Sequence, residues 1–147
     1  LMTEEFNIIY NKALDLLSRR EHSKEEINQK LLIRFPSESV NIKLVIEKLS
    51  KNNILNDERF TEIYVLSRKR KGFGSKKIAF ELSNKGVNES IYSKIISNES
   101  NWEEVAKKAF NKKFKTQKDA DFRIQLKQKA FLQNRGFTFK EIESVFN

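Results

Sequence analysis

The only imidazole in this 147-residue chain is His22, and it has no chemical company. Nucleophilic catalysis needs a base beside a hydroxyl or thiol, and zinc needs several clustered imidazole, thiolate or carboxylate ligands. Cysteine is absent, and no set of acids around His22 has ligand spacing. His22 reads as a turn residue between two helical segments. The acid pairs Glu25-Glu26 and Glu103-Glu104 fall in the first turns of helical segments, where the helix dipole favours carboxylates. Gly72-x-Gly74 lacks the preceding strand, the third glycine and the Lys-Ser/Thr ending of a phosphate-cradling loop. These residues predict no enzyme, no metal and no cofactor.

Cations are the stronger signal. From Arg68 to Lys77 the chain carries Arg68, Lys69, Arg70, Lys71, Lys76 and Lys77 with no acid between them. From Lys107 to Lys118 it carries Lys107, Lys108, Lys112, Lys113, Lys115 and Lys118, again with no acid. One or two cations at a helix C-terminus complement the dipole; six exceed that need. The net charge is +9, and it is uneven. Residues 1–50 hold 8 basic and 8 acidic side chains, residues 51–100 hold 10 and 6, and residues 101–147 hold 11 and 6. A neutral first third beside two basic thirds predicts a polyanionic or acidic partner for the basic part. A lysine-rich face grips phosphate or carboxylate and does not read bases. Phe73, Phe137 and Phe139 stand beside turns, where they either close small cores or stack on a partner.

The elements that must carry these cations read as helices throughout. Phe6, Ile9, Tyr10, Ala13, Leu14 and Leu17 keep a three- or four-residue rhythm. Ser23 with Glu26, and Thr138 with Glu141, form capping boxes. Pro36 stops a second helix, Ser37 is placed to cap a third, and Val40, Leu44, Val45, Ile46 and Leu49 are expected inside. Phe60, Ile63, Tyr64 and Leu66 mark a fourth helix, which Gly72-Phe73-Gly74 ends. Ile78, Ala79 and Leu82 mark a fifth, which Gly86 stops. Asn88 caps a sixth, and Asn101 with Glu104 opens a seventh. A break is expected over Thr116–Asp119. An eighth helix turns Phe122, Leu126, Ala130, Phe131 and Leu132 inward.

The pattern returns about every 50 residues. Leu32, Leu82 and Leu132 share one phase, Lys85-Gly86-Val87 matches Arg135-Gly136-Phe137, and Leu17-Ser18-Arg19-Arg20 matches Leu66-Ser67-Arg68-Lys69. The prediction is an all-α chain of about nine helices. They form three tandem three-helix, helix-turn-helix-like repeats, over residues 1–52, 53–99 and 100–147, in an elongated, curved array. No apolar run is long enough to span a membrane, and no signal peptide is visible. The lack of cysteine fits a reducing cytoplasm.

Four blocks resemble the RecX family, the bacterial modulators of the RecA recombinase. They are Ala13-Leu14-Asp15-Leu16-Leu17-Ser18-Arg19-Arg20-Glu21-His22-Ser23-Lys24-Glu25-Glu26-Ile27 with Lys30-Leu31; Asn53 to Phe60 with Tyr64-Val65 and Arg68; Gly72-x-Gly74 with Ile78, Glu81-Leu82 and Lys85-Gly86-Val87; and Phe131-Leu132 with Arg135-Gly136-Phe137. Asn53 stands where the family often has glycine. The resemblance implies three tandem repeats, a cytoplasmic location and no catalysis. It also implies binding along the RecA filament on single-stranded DNA, with damping of ATP hydrolysis, strand exchange and coprotease activity. The expected contacts are Arg68, Lys69, Arg70, Lys71, Lys76 and Lys77, then Lys108, Lys112 and Lys113, with Arg19 and Arg20 in the first repeat; the chain is expected to be a monomer. The alternative is a stand-alone helical nucleic-acid-binding protein.

Overall fold

The computed structural model describes residues 3–115 and 121–147. Lys118 and the expected break over Thr116–Asp119 lie outside the described residues. Nine helices follow in order among those described: α1 (Glu4–Arg19), α2 (Lys24–Arg34), α3 (Ser39–Lys51), α4 (Asp57–Arg70), α5 (Ser75–Asn84), α6 (Glu89–Ser97), α7 (Trp102–Phe114), α8 (Phe122–Asn134) and α9 (Phe139–Phe146). Helices pack in threes, and each triplet closes its own core. Ile9, Ala13, Ile27, Leu31, Ile42, Val45 and Leu49 fill the first. Phe60, Val65, Ile78, Leu82 and Val87 fill the second. Ala106, Phe110, Leu132, Phe137, Ile142 and Val145 fill the third. Cores this small leave each unit dependent on its neighbour.

Local signals explain the helix limits. Both capping boxes form: Ser23 Oγ accepts from the Glu26 amide at 3.1 Å and Glu26 reaches back to the Ser23 amide at 3.0 Å, and Thr138 and Glu141 repeat the exchange. Four helices stop the same way, with a left-handed residue followed by an apolar one whose amide bonds five residues back. The pairs are Asn53-Ile54, Gly72-Phe73, Gly86-Val87 and Gly136-Phe137, bonded to the carbonyls of Leu49, Arg68, Leu82 and Leu132. Asn53, at φ 60°, does the work of the glycine it replaces.

Several expectations need correction. Ser37 does not cap α3; the N-cap is Glu38, and it makes no side-chain cap. Ile42, Val45 and Leu49 share the face of α3 that packs inward, while Val40 and Leu44, four apart on another face, are exposed. Ile63 and Leu66 of α4 are exposed as well. Leu31, not Leu32, shares complete burial with Leu82 and Leu132, because α2 sits one residue out of the even 50-residue phase. Asn101 does cap α7 by position, but in a left-handed conformation with no side-chain bond. Phe122, Leu126 and Ala130 are exposed, since almost nothing in the described chain covers the first turns of α8. Phe137 is buried, Phe73 packs against the second core, and Phe139 is exposed.

The units are joined through helix ends. Ser23 Oγ, at the N-cap of α2, donates to the Lys85 carbonyl at the C-cap of α5, 2.7 Å away. One unit along, the Gly74 amide at the N-cap of α5 donates to the Arg135 carbonyl at the C-cap of α8, also at 2.7 Å. The Lys76 amide adds a bond to the Gly136 carbonyl at 3.0 Å. Around the first joint, Asp57 accepts from the Lys24 amide at 2.9 Å, and Arg59 meets Glu21 at 2.6 Å.

These joints leave no room for a β-carbon. One added to Gly136, at φ 95°, would lie 2.4 Å from the Lys77 amide nitrogen. One on Gly74 would lie 2.5 Å from the Gly136 carbonyl group. At Gly72 the nearest atoms would be 3.5 Å away, so only its φ of 91° resists substitution. Gly136→Ala is therefore expected to cost roughly 2–4 kcal/mol and Gly72→Ala about 1 kcal/mol. Thermal unfolding of the two variants checks this, and equal melting temperatures would refute the close-packed joint.

Candidate polyanion-binding site

The second joint brings together cations from three helices. Arg70 at the end of α4, Lys71 just after it, and Lys108, Lys112 and Lys113 on α7 line one cavity with Arg135 after α8. Gly72, Ala109 and Phe131 complete its lining, and its volume is about 300 Å³. A second cavity of about 330 Å³ shares Arg70, Gly72 and Lys108 and extends toward Leu66 and Val105. Among the described residues, no carboxylate lines either cavity. Together they make a cleft with cationic walls and an apolar floor. Helical spacing explains the α7 wall: Lys108 and Lys112 are one turn apart, with Ala109 and Lys113 beside them on the next row.

Arg135 holds the cleft in shape. Its guanidinium donates to the Lys71 carbonyl at 3.2 Å and lies over the rings of Phe73, at 4.5 Å, and Phe131, at 5.0 Å. Lys113 also stands over the Phe131 ring, 5.9 Å from its centroid. Among the described residues, no ion pair engages Arg70, Lys71, Lys108, Lys112 or Lys113.

Five of the expected contacts thus converge, and the others are placed differently. Arg68 turns inward. It makes a two-point bond to Glu81, at 2.9 and 2.7 Å, and stacks 3.8 Å from the Phe73 centroid. Burial alone would raise the Glu81 carboxyl, but bonds from Arg68 and Tyr64 outweigh it and hold it below the usual range. Tyr64 is pushed up to about 12 by its own burial and by that carboxylate. Lys69 pairs with Glu99 at 3.0 Å and caps the Trp102 ring at 5.0 Å, while still lining the second cavity. Lys76 and Lys77 line neither cavity; Lys77 lies over Phe73 at 5.5 Å. Arg19 pairs with Asp15 and Arg20 with Glu26, in the first unit. Sequence reasoning missed Arg135 as a cleft residue. It lies outside both basic runs, and only its place in the Arg-Gly-Phe helix stop hinted at a role.

His22 lies between α1 and α2, as its sequence position implied, and it is buried there. Its Nδ1 is 3.0 Å from the Arg20 carbonyl, which can only accept, so Nδ1 carries the proton and Nε2 accepts from Lys30 at 2.9 Å. Burial lowers its proton affinity, and the charges of Arg20 and Lys30 add to this against the carbonyl bond. Among the described residues no cluster of His, Asp and Glu could hold a metal ion, and no helix is long and apolar enough to cross a membrane.

The fold and cleft define a tandem array of three-helix units with a cationic cleft at its second joint. Family models for the first, second and third three-helix domains of RecX match residues 10–49, 56–94 and 101–146. The chain belongs to the RecX family. It is 32% identical to the regulatory protein RecX of Serratia proteamaculans, over 95% of this chain and 96% of that protein. It is 38% identical to that of Vibrio parahaemolyticus, over 88% of this chain and 84% of that protein. The crystal structure of RecX from Lactobacillus salivarius has the same fold, with a TM-score of 0.77 at 22% identity over 97% of this chain and 95% of that one.

Two measurements test this electrostatic picture. His22 stays neutral in the fold below its ordinary value of 6.5, whereas the unfolded chain takes up the proton there. Stability present above that pH must therefore fall as the solution is acidified through it. The melting temperature should drop between pH 7.5 and 5.5, and His22→Gln should flatten that slope. Arg68→Gln should lower stability by roughly 1–3 kcal/mol by leaving Glu81 without its partner, while Lys112→Gln should leave it unchanged within about 0.5 kcal/mol. The reverse ranking would overturn the assignment of Arg68 as structural and Lys112 as free.

Proposed function

We propose that this chain regulates a RecA-type recombinase by binding along the filament that the recombinase forms on single-stranded DNA. It damps ATP hydrolysis, strand exchange and coprotease activity. It acts as a monomer in the cytoplasm, with no catalytic step of its own. Membership of the RecX family supports regulation of the recombinase. The observation that carries the filament reading is the convergence of Arg70, Lys71, Lys108, Lys112 and Lys113 on one cleft that, among the described residues, holds no carboxylate. Cations in that arrangement meet phosphates or clustered carboxylates at several points, as a repeating polymer presents them. Arg68, Lys77 and Arg20 are assigned to holding the array in shape and Lys69 to both tasks, while Lys76 and Arg19 stand outside the cleft.

A stand-alone DNA reader carries less weight. A helix that enters a groove presents its N-terminal residues to the bases. Of the two helices that could do so, α5 has that end occupied by the following unit, through the Arg135 and Gly136 carbonyls, which leaves α8 as the candidate reader.

The test is recombinase ATP hydrolysis on single-stranded DNA. Wild-type protein should reduce turnover, and a variant with Arg70, Lys71, Lys108, Lys112 and Lys113 all changed to Glu should require at least roughly tenfold more protein for the same effect. Circular dichroism checks that the variant is folded. No effect of wild-type protein on turnover removes the filament reading, and equal potency of the variant removes the cleft.

A further inference from the structure

We propose that Lys30 is a site of N-acylation, receiving its acyl group from a small acyl phosphate bound in the groove between α2 and α5. The geometry is that of a nucleophile beside an oriented base. The Arg20 carbonyl fixes the His22 ring through Nδ1–H, and burial of the ring, only 2% exposed, prevents it from turning. Nε2 therefore aims its lone pair at the Lys30 amine, 2.9 Å away. Lys30 is exposed along the groove and, among the described residues, has no ion pair of its own. The nearby carboxylate, Glu26, is shared by Arg20 at 3.1 Å and Lys85 at 3.2 Å. Burial of the amine and the charges of Arg20, Lys85 and Arg19 lower its proton affinity against the single opposing charge of Glu26. A lysine beside other cations is a recognised form of activated nucleophile.

The groove suits the donor. Its volume is about 340 Å³, and besides Lys30, Lys85, Asn84, Gln29 and Ile33 its lining includes Glu25 and Glu26, whose carboxylates are engaged by Gln29 and by Arg20 and Lys85. The Lys85 ammonium and Asn84 amide offer donors to a phosphate, and Ile33, 83% exposed, offers an apolar contact to the acyl chain. In the reaction the Lys30 Nζ lone pair attacks the acyl carbon and an N–C bond forms. The C–O bond to the phosphate breaks, and inorganic phosphate leaves with that electron pair. Of the two protons that the Lys30 ammonium gives up, one leaves through His22 Nε2 to water before the attack and frees the lone pair, and the other passes from Nζ through Nε2 to the departing phosphate. The product is an uncharged amide, so the joint between the first and second units loses one cation.

The full chain incubated with acetyl phosphate at pH 7.5, followed by digestion and mass spectrometry, reads the rate at each lysine. Lys30 should be acetylated at least roughly tenfold faster than Lys112, which has no imidazole beside it. His22→Gln should abolish that advantage, and Lys85→Gln should raise the acetyl phosphate concentration needed for half-maximal rate. With acetic anhydride, which carries no phosphate, the Lys30 advantage should remain but the effect of Lys85→Gln should vanish. Where His22→Gln fails to fold, the pH profile of the wild type decides: the Lys30 rate should fall more steeply than that of Lys112 as His22 takes up a proton. A Lys30 rate no greater than that of Lys112, or a parallel pH profile, overturns the proposal.

Discussion

Everything else in this molecule depends on how one middle helix ends against the start of another. The carbonyl at the C-cap of α5 is received at the N-cap of α2, and that of α8 at the N-cap of α5. Helix termini carry backbone groups that have no partner within the helix, and the two ends carry partial charges of opposite sign. Setting a C-terminus on an N-terminus satisfies both at once. The three middle helices therefore run in series, and each small core lies beside a joint. Units with so few buried side chains gain their alignment from these contacts rather than from a broad apolar interface.

The same joint is built twice with opposite electrostatics. At the first, Glu21, Glu26 and Asp57 stand among Arg20, Lys85, Arg59 and the amide of Lys24, and nearly every charge is matched. Burial would raise the Glu26 carboxyl, but bonds from Arg20, the Ser23 amide and Lys85 hold it at about 2, so it stays ionised across the ordinary pH range. At the second, the strut is Arg135, and it is satisfied by carbonyls and aromatic faces instead of acids. A strut that consumes no carboxylate leaves the surrounding cations uncompensated. The cleft is thus a consequence of how the second joint is made.

Much of this was legible in the residues, and the failures have physical causes. Capping boxes, glycine stops and the three-unit period are local, so Ser23, Gly86, Gly136 and Thr138 declared themselves. The resemblance added the order of the units. Helix phase was harder. In α3 the apolar residues spread over more than one face, and packing against α1 and α2 decides that Ile42 lies inward and Val40 and Leu44 outward. Composition alone could not divide the basic runs, because pairing depends on distant residues. Arg68 meets Glu81 and Lys69 meets Glu99, at separations of 13 and 30 residues. Arg135 reaches the Lys71 carbonyl across 64 residues, so no linear count of lysines shows it as part of the cleft.

The uncompensated cations also bear on why the cleft reads as a contact surface and not as a solvated face. Lys108 and Lys112 stand one turn apart on α7, and like charges at that spacing weaken a helix by about 0.2–0.5 kcal/mol. Arg70, Lys71 and Lys113 add their repulsion from either side. Elsewhere on this chain exposed cations do find acids at short range, as Arg19 finds Asp15, Lys107 finds Glu104 and Lys129 finds Glu143. A cleft that draws cations from separate elements, with no carboxylate among the described residues of its lining, is held together against its own field. An anionic polymer laid through it would reverse the sign of that term.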